Sequence, residues 1–309
     1  MAESVICHLE GVGGVRVSYR FWQSPEPSAS VLCVHGLGEH SGRYQGLADT
    51  LAPLGLDLYA IDMRGHGLTQ GKRGHVSHFE LLLQDLDRLR RKADGRAASR
   101  GFFLVGHSLG GLVVGRYAEA FAPDGLRGIA FVAPFVDVAL EVPAWKQSLG
   151  AAADRIAPGM TMDNGLDVET LFRLESDRSA YRDDPLVHRR ISARLWGEMQ
   201  RAAGGLVEEA ARLRVPVLLQ LAGEDMVVSN AASREFAARL PAEIEVREYD
   251  EAFHALFHDP RSPEILGDLG EWMTRRLEER HKGSRTPGSA GGPIDPAGAD
   301  PEDSTVEDT

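Results

Sequence analysis

Cysteines are few in this sequence, and long apolar runs are missing. Its 309 residues include only Cys7 and Cys33, too few for a disulfide framework in a chain of this length, so we expect reduced thiols. No segment reaches the ~18 uninterrupted apolar residues that a membrane span needs. The first residues, MAESVICHLEG, contain neither a basic start nor a long apolar stretch. We therefore expect no signal peptide and predict a soluble, cytoplasmic protein.

Positive charge is also in short supply. Lys and Arg total 34 against 46 Asp and Glu, which gives a formal net charge of −12. Nucleic-acid binding needs clustered Lys and Arg, so this composition argues against a nucleic-acid partner. Residues 283–309 contribute −5 of that charge, because they contain six acids and one base. Rich in Gly, Pro and Ser, this segment cannot bury enough apolar surface to offset its ordering entropy, and we predict a disordered acidic tail.

Motifs for metals and nucleotides are missing as well. His75 and His78 are three residues apart and His254 and His258 are four apart, but neither pair forms the H-E-x-x-H pattern of zinc enzymes. No G-x-G-x-x-G opens a nucleotide-binding unit. We therefore predict neither a metal site nor a cofactor.

Strand-like and helix-like segments alternate along most of the chain. Helical periodicity follows several short apolar runs that predict buried strands at 31–34, 56–61, 102–105, 129–133 and 215–221. This alternation predicts an α/β fold with a mostly parallel sheet flanked by helices. Between residues 134 and 213 the pattern indicates helices and loops without a buried strand. We therefore predict a core of residues 1–133 and 214–282 with a helical cap, 134–213, inserted between them.

The most informative motif is Gly106-His107-Ser108-Leu109-Gly110, which matches G-x-S-x-G. An apolar run precedes it and a helix-compatible stretch follows, as in the sharp turn that exposes the nucleophile of α/β-hydrolases. The glycines are needed because side chains two residues either side of the serine would collide in so tight a turn. The turn also places Ser108 at a helix N-terminus, where developing negative charge is favoured. We predict that Ser108 is a nucleophile.

A serine nucleophile needs a general base and an acid that orients the base. In this architecture the chain order is Ser, then Asp or Glu, then His. Asp225 follows the apolar run 215–221, and His254 follows the last predicted strand, 244–249. We therefore predict a catalytic triad of Ser108, Asp225 and His254.

Other residues near these strand ends remain alternatives. Glu224 or Asp137 could replace Asp225 as the acid, and His258 is the alternative base. His107 is adjacent to Ser108 and too close to turn back on it, so we expect His107 to support the turn. The other catalytic element is an oxyanion hole of two backbone N–H groups, which we assign to Leu109 and to Leu37 in the loop after an early strand.

The predicted cap is rich in large apolar side chains. Most of them must simply pack the cap onto the core, but inserted loops at strand ends often carry binding sites. We therefore predict that some line a substrate pocket, with these candidates: Trp145, Leu171, Phe172 and Trp196.

Together these motifs resemble the monoacylglycerol lipase and lysophospholipase branch of the α/β-hydrolases. The segment HGLGEHSGRY at residues 35–44 is the most specific part of the likeness, since many hydrolases share the serine motif and few share this loop. Further matching segments are 62–67 (DMRGHG), 106–111 (GHSLGG), 183–188 (DDPLVH) and 223–225 (GED), with His254. The resemblance runs from about residue 10 to about residue 280.

The resemblance implies hydrolysis of a medium- or long-chain monoacylglycerol, with an apolar acyl tunnel in the cap. It also implies that Glu39 and Arg43 lie near the alcohol part of the substrate, although a plain i,i+4 ion pair explains the two residues equally well. A lysophospholipase or general carboxylesterase is the alternative, followed by an aminopeptidase or amidase. A ligand-binding protein on a hydrolase scaffold is the non-enzyme alternative. The cap is a candidate for peripheral membrane contact, and the oligomeric state is left open.

Overall fold

The computed structural model of the protein describes residues 1–97, 101–139, 150 and 152–283. Trp145 and residues 284–309 of the predicted tail lie outside the described residues. Within them the strands are β1 (Ser4–Glu10), β2 (Arg16–Trp22), β3 (Ala29–Val34), β4 (Leu56–Ile61), β5 (Phe102–His107), β6 (Leu126–Val132), β7 (Thr161–Asp163), β8 (Arg190–Ser192), β9 (Val217–Ala222) and β10 (Ile244–Tyr249). The α-helices are α1 (Gln45–Leu51), α2 (Glu80–Ala97), α3 (Leu109–Phe121), α4 (Val168–Leu171), α5 (Glu175–Asp183), α6 (Ala193–Glu208), α7 (Asn230–Ala238) and α8 (Ser262–Gly283).

A central sheet of eight strands has the order β1-β2-β4-β3-β5-β6-β9-β10. From β4 to β10 all neighbouring strands are parallel, and β2 is antiparallel to both of its neighbours, β1 and β4. Every residue of β3, β4, β5 and β9 is buried, as expected for parallel strands covered on both faces. The predicted α/β fold with a mostly parallel sheet is confirmed.

Helices pack closely on this sheet because small residues let them approach. Trp272 of α8 lies edge-on to Phe103 of β5, with ring centroids 5.8 Å apart. A Cβ at Gly128 in β6 would lie 2.5 Å from the Trp272 ring. On α3, a Cβ at Gly115 would lie 2.7 Å from Leu206 of α6. Gly128 thus sets the spacing between the sheet and α8, and Gly115 sets the spacing between α3 and α6.

The chain between β6 and β9 forms the region predicted as a cap. Because β6 pairs directly with β9, this interval leaves the sheet and returns to it at adjacent strands. Its described part contains α4, α5 and α6 and also an antiparallel pair, β7 with β8, which the sequence pattern did not predict. The two strands have only three residues each, too few for an alternating pattern to be recognised. The limits of the cap at residues 134 and 213 stay a prediction.

The six parallel strands from β4 to β10 place their carboxyl ends at the same edge of the sheet. The loops that follow β3, β5, β9 and β10 carry the predicted oxyanion residue, nucleophile, acid and base. Parallel α/β sheets bind ligands outside this edge. The fold therefore directs all four predicted functional loops to one place.

Candidate active site

Ser108 occupies a strained turn between β5 and α3. Its φ of 53° and ψ of −118° lie outside the regions that non-glycine residues ordinarily adopt. A Cβ at Gly106 would lie 2.3 Å from the Gly110 carbonyl oxygen, and one at Gly110 would lie 2.0 Å from the Val34 carbonyl oxygen. Both positions therefore require glycine, for the steric reason that the motif implied. The Ser108 amide is held by the Val132 carbonyl at 3.0 Å.

His254 and Asp225 meet in the interior at this edge. Asp225 Oδ2 lies 2.8 Å from His254 Nδ1, and the Asp225 side chain is fully buried. Its other oxygen accepts the backbone N–H groups of Val227 and Val228 at 2.9 and 3.0 Å. Burial opposes ionisation, but the His254 ring and these two donors outweigh it and hold the pKa of Asp225 below its ordinary value. Nδ1 of His254 is thereby engaged, and no hydrogen bond of its Nε2 is among the described contacts.

The alternative residues make different contacts. Glu224 and Asp137 are exposed, and the Asp137 carboxylate accepts the amide of its own neighbour, Val138, at 2.8 Å. His258 ends a 3₁₀-helix and packs against Phe172, with ring centroids 6.0 Å apart. Burial and the nearby Arg43 charge lower the pKa of His258 to about 3. Of these candidates, Asp225 and His254 are the pair that the structure brings together.

His107 connects the turn at Ser108 to the loop that carries the predicted base, His254. No hydrogen bond links Ser108 Oγ to the His254 ring among the described contacts, and such bonds often tighten only with substrate bound. His107, next to Ser108, contacts the His254 carbonyl oxygen through Nε2 at 3.2 Å. The two imidazole rings lie 5.1 Å apart. The predicted base is therefore adjacent to the predicted nucleophile.

The loop after β3, which carries Leu37, is fixed from two sides. His35 Nδ1 contacts the Gly36 carbonyl at 2.7 Å, and its Nε2 accepts the Met63 amide at 3.0 Å. From the cap, the His188 amide donates to the Gly38 carbonyl at 3.0 Å. Gly38 has a φ of 81°, and a Cβ there would lie 2.3 Å from the His188 carbonyl oxygen. Leu37 is thus held in a rigid loop, and Leu109 starts α3 directly after Ser108.

Glu39 lies at the centre of a buried charged network. Its Oε2 accepts the Gly36 amide at 3.2 Å and the Tyr44 hydroxyl at 3.3 Å, and it lies 3.3 Å from His107 Nδ1. Arg43 Nε lies 3.6 Å from Glu39 Oε1, so the i,i+4 ion pair is present. Burial opposes the charge of Glu39, but His107 and Arg43 outweigh it and hold its pKa well below the ordinary value. Substrate binding by Glu39 and Arg43 stays a prediction.

Cap residues flank the triad loops. Leu171 and Phe172 form an apolar cluster with Ala255, the residue after His254, and the Leu171 carbonyl accepts the Ala255 amide at 3.0 Å.

Trp196 packs edge-on to Phe135, with ring centroids 6.1 Å apart, and the Phe135 amide donates to the Ser108 carbonyl at 3.0 Å. Three of the four predicted cap residues therefore lie beside the candidate site, and the fourth, Trp145, is outside the described residues.

Sequence reasoning missed several contacts that build this site. His40 Nε2 lies 2.8 Å from Asp184 Oδ2 in the cap. Both residues belong to segments that carried the family resemblance, 35–44 and 183–188. Their pairing, across 144 residues, is not visible in one sequence. Phe135 was also missed because nothing in its local sequence distinguishes it from a core residue.

The part of the chain that the structure describes has neither a metal-binding cluster nor a membrane-spanning helix. No group of three or more His, Cys, Asp or Glu side chains is arranged to hold a metal ion there. Across the same residues, none of the helices combines the length and the apolar character that crossing a membrane requires.

The parallel sheet, the sharp turn at Ser108 and the loops beyond it define a serine hydrolase of the α/β-hydrolase fold. The sequence profile of the serine aminopeptidase S33 family matches residues 25–261, and the chain belongs to that family. The chain is 30% identical over 273 residues to the monoacylglycerol lipase of Mycolicibacterium smegmatis, covering 86% of this chain and 96% of that protein. The crystal structure of Paleococcus ferrophilus monoacylglycerol lipase is 34% identical with a TM-score of 0.77, covering 85% and 99%.

One of the matching relatives is much longer. The chain is 29% identical over 265 residues to an abhydrolase domain-containing protein of Dictyostelium discoideum, and it spans only 28% of the length of that protein. The resemblance to the monoacylglycerol lipase branch, predicted from the motifs, is confirmed. The protein is a serine hydrolase of the esterase and lipase type.

Proposed function

We propose that the protein hydrolyses monoacylglycerols to fatty acid and glycerol. The observation that carries the proposal is the pair of apolar surfaces beside the candidate triad. Leu171 and Phe172 approach from the side of His254, and Trp196 with Phe135 from the side of Ser108. Together they offer a hydrophobic environment for an acyl chain next to the nucleophile. The similarity to two monoacylglycerol lipases supports the same substrate.

The proposed mechanism proceeds through an acyl-enzyme. Ser108 Oγ attacks the ester carbonyl while His254 Nε2 takes its proton, and Asp225 keeps Nδ1 protonated and the ring oriented. The Leu37 and Leu109 amides stabilise the oxyanion of the tetrahedral intermediate. His254 then donates the proton to the departing glycerol oxygen. Water, activated by the same histidine, cleaves the acyl-serine ester and releases the fatty acid.

The direct test is a substrate profile of the wild type and Ser108→Ala. The substrates are a long-chain monoacylglycerol, lysophosphatidylcholine, a short p-nitrophenyl ester and an aminoacyl p-nitroanilide, and the exposed Ser77→Ala serves as the matched control. We expect monoacylglycerol to be cleaved best, Ser108→Ala to be inactive and Ser77→Ala to match the wild type. Preference for lysophosphatidylcholine or the anilide would replace the substrate assignment. Full activity of Ser108→Ala would overturn the triad.

We also propose that the cap contacts the lipid surface that holds the substrate. Ile156, Met160 and Met162 are 85%, 52% and 49% exposed, and they lie within one short stretch of the cap. Large exposed apolar side chains on a cap are suited to an interfacial position. In vesicle co-sedimentation, Ile156→Asp should reduce binding. Val246→Asp, at a residue 42% exposed on the far edge strand β10, is the control and should bind as the wild type does.

A further inference from the structure

His107 has hydrogen-bond acceptors on both ring nitrogens. Nδ1 lies 3.3 Å from Glu39 Oε2, and Nε2 lies 3.2 Å from the carbonyl oxygen of His254. A carbonyl oxygen can only accept, and an ionised carboxylate likewise has no proton to donate. A neutral imidazole carries a single N–H group and can satisfy only one of these partners. Both contacts are satisfied together only when the ring is an imidazolium.

The surroundings of His107 favour that charged state. Its side chain and that of Glu39 are each only 7% exposed. Burial disfavours the imidazolium, but the Glu39 carboxylate, the His254 carbonyl and the Asp225 charge outweigh it and raise the pKa of His107. The other ionisable groups around the pair include the His254 ring, Arg43, His258 and Tyr44, whose hydroxyl donates to Glu39 Oε2. Cys33, His35 and Tyr181 also interact electrostatically with Glu39. The pKa of His258 is lowered to about 3, so His258 does not compete as a cation at neutral pH.

The same two residues connect three of the predicted functional loops. Glu39 lies in the loop that carries Leu37, and its Oε2 also accepts the Gly36 amide at 3.2 Å. His107 is the last residue of β5 and directly precedes Ser108. The His254 carbonyl belongs to the loop that carries the predicted base. A single ion pair therefore ties the oxyanion loop, the nucleophile turn and the base loop together.

We propose that His107, as an imidazolium held by Glu39, is a positioning residue that fixes the backbone of His254 against the nucleophile turn. This inference rests on the proposed triad. It assigns His107 no contact with substrate and no proton transfer in the reaction. Loss of the His107 proton leaves one of the two acceptors without a donor, so the base loop loses part of its support at alkaline pH.

The test compares the wild type with His107→Gln, whose amide keeps a donor nitrogen for one partner but presents an acceptor oxygen to the other and cannot carry charge. The control is His8→Gln, at an exposed histidine of β1. We measure kcat and KM for a soluble p-nitrophenyl ester from about pH 6 to about pH 10, subtracting the rate of Ser108→Ala. We expect His107→Gln to lower kcat about tenfold to a hundredfold at neutral pH with KM little changed. We expect kcat of the wild type to fall at alkaline pH and this fall to be missing from His107→Gln. His8→Gln should match the wild type.

Two results would overturn the proposal. One is an unchanged kcat in folded His107→Gln, and the other is a reduced kcat with the alkaline decline still present, which indicates packing support without the charge. If His107→Gln does not fold, Glu39→Gln gives the same test. With a neutral partner, the neutral ring can accept at Nδ1 and still donate from Nε2 to the His254 carbonyl, so the alkaline decline should disappear. Failure of the proposed triad is distinguishable, because it appears as full activity in Ser108→Ala. Failure of the proposed substrate appears separately, as poor cleavage of monoacylglycerol in the substrate profile.

Discussion

The guanidinium of Arg43 lies against two neighbouring aromatic rings, those of Phe172 and Tyr181, whose centroids are 5.2 Å apart. Its Cζ is 5.4 Å from the first ring centroid and 5.0 Å from the second, and the Arg43 side chain is 8% exposed. Phe172 and Tyr181 belong to the cap region, whereas Arg43 belongs to the loop that follows β3. A cation of the core therefore joins the core to the cap by contacting the faces of two aromatic rings of the cap.

Replacing Arg43 by Met should destabilise this junction. The substitution keeps an apolar stem but removes the cation–π contacts and leaves Glu39 with one cationic partner fewer, so we expect a loss of about 2 kcal/mol in the free energy of unfolding. Arg239→Met, at an exposed i,i+4 pair with Glu235, should cost less than about 0.5 kcal/mol. Urea unfolding measures both variants. Equal losses would contradict a special role for the Arg43 contacts.

Asp225→Asn should lower kcat by about 10³-fold to about 10⁴-fold, because an amide in place of the carboxylate favours the wrong tautomer of His254. The matched control is Glu224→Gln, which neutralises the exposed neighbouring acid and should leave kcat within about twofold of the wild type. Steady-state kinetics on a p-nitrophenyl ester measures kcat for both variants. A large effect at Glu224 and a small one at Asp225 would reverse the assignment of the acid.

Gly110→Ala should abolish activity and destabilise the fold. The added methyl group would lie 2.0 Å from the Val34 carbonyl oxygen, and backbone cannot move aside as a flexible side chain can. Gly204→Ala, in the exposed middle of α6 with nothing within 4 Å of the new Cβ, should instead raise stability by about 0.5–1 kcal/mol. Thermal unfolding and ester hydrolysis are measured on both variants. A tolerated alanine at position 110 would show that the turn is less tight than this 2.0 Å distance implies.

Glu119 should make stability fall as pH rises toward neutrality. Burial, only partly offset by Arg116, raises its pKa from the ordinary 4.5 to about 7. Between these two values the folded state binds more protons than the unfolded state, so the free energy of unfolding decreases with increasing pH. Glu119→Gln should remove this loss and gain on the order of 1–3 kcal/mol at pH 8 relative to pH 5. Glu235→Gln, at an exposed residue of α7, should show no such gain in urea unfolding at the two pH values.

Features set by neighbouring residues were predictable from the sequence. The turn at Ser108 depends on glycines two residues away, and β4 has the limits that its apolar run predicted. The exposed edge strand β1 was missed, because both faces carry exposed residues such as Val5 and Ile6. Among the site residues, only those that come shortly after a predicted strand could be identified from the sequence. Contacts such as Arg43 with Tyr181 depend on how the cap packs on the core, and that packing leaves no local pattern.

The hydrogen bond from the Ala255 amide to the Leu171 carbonyl has a mechanical consequence. Ala255 directly follows the predicted base, and Leu171 is the last residue of α4 in the cap region. A displacement of α4 away from the sheet must either break this bond or pull the backbone next to His254 with it. Any opening of the cap at α4 would therefore be transmitted to the backbone that carries the predicted base, unless this hydrogen bond is lost.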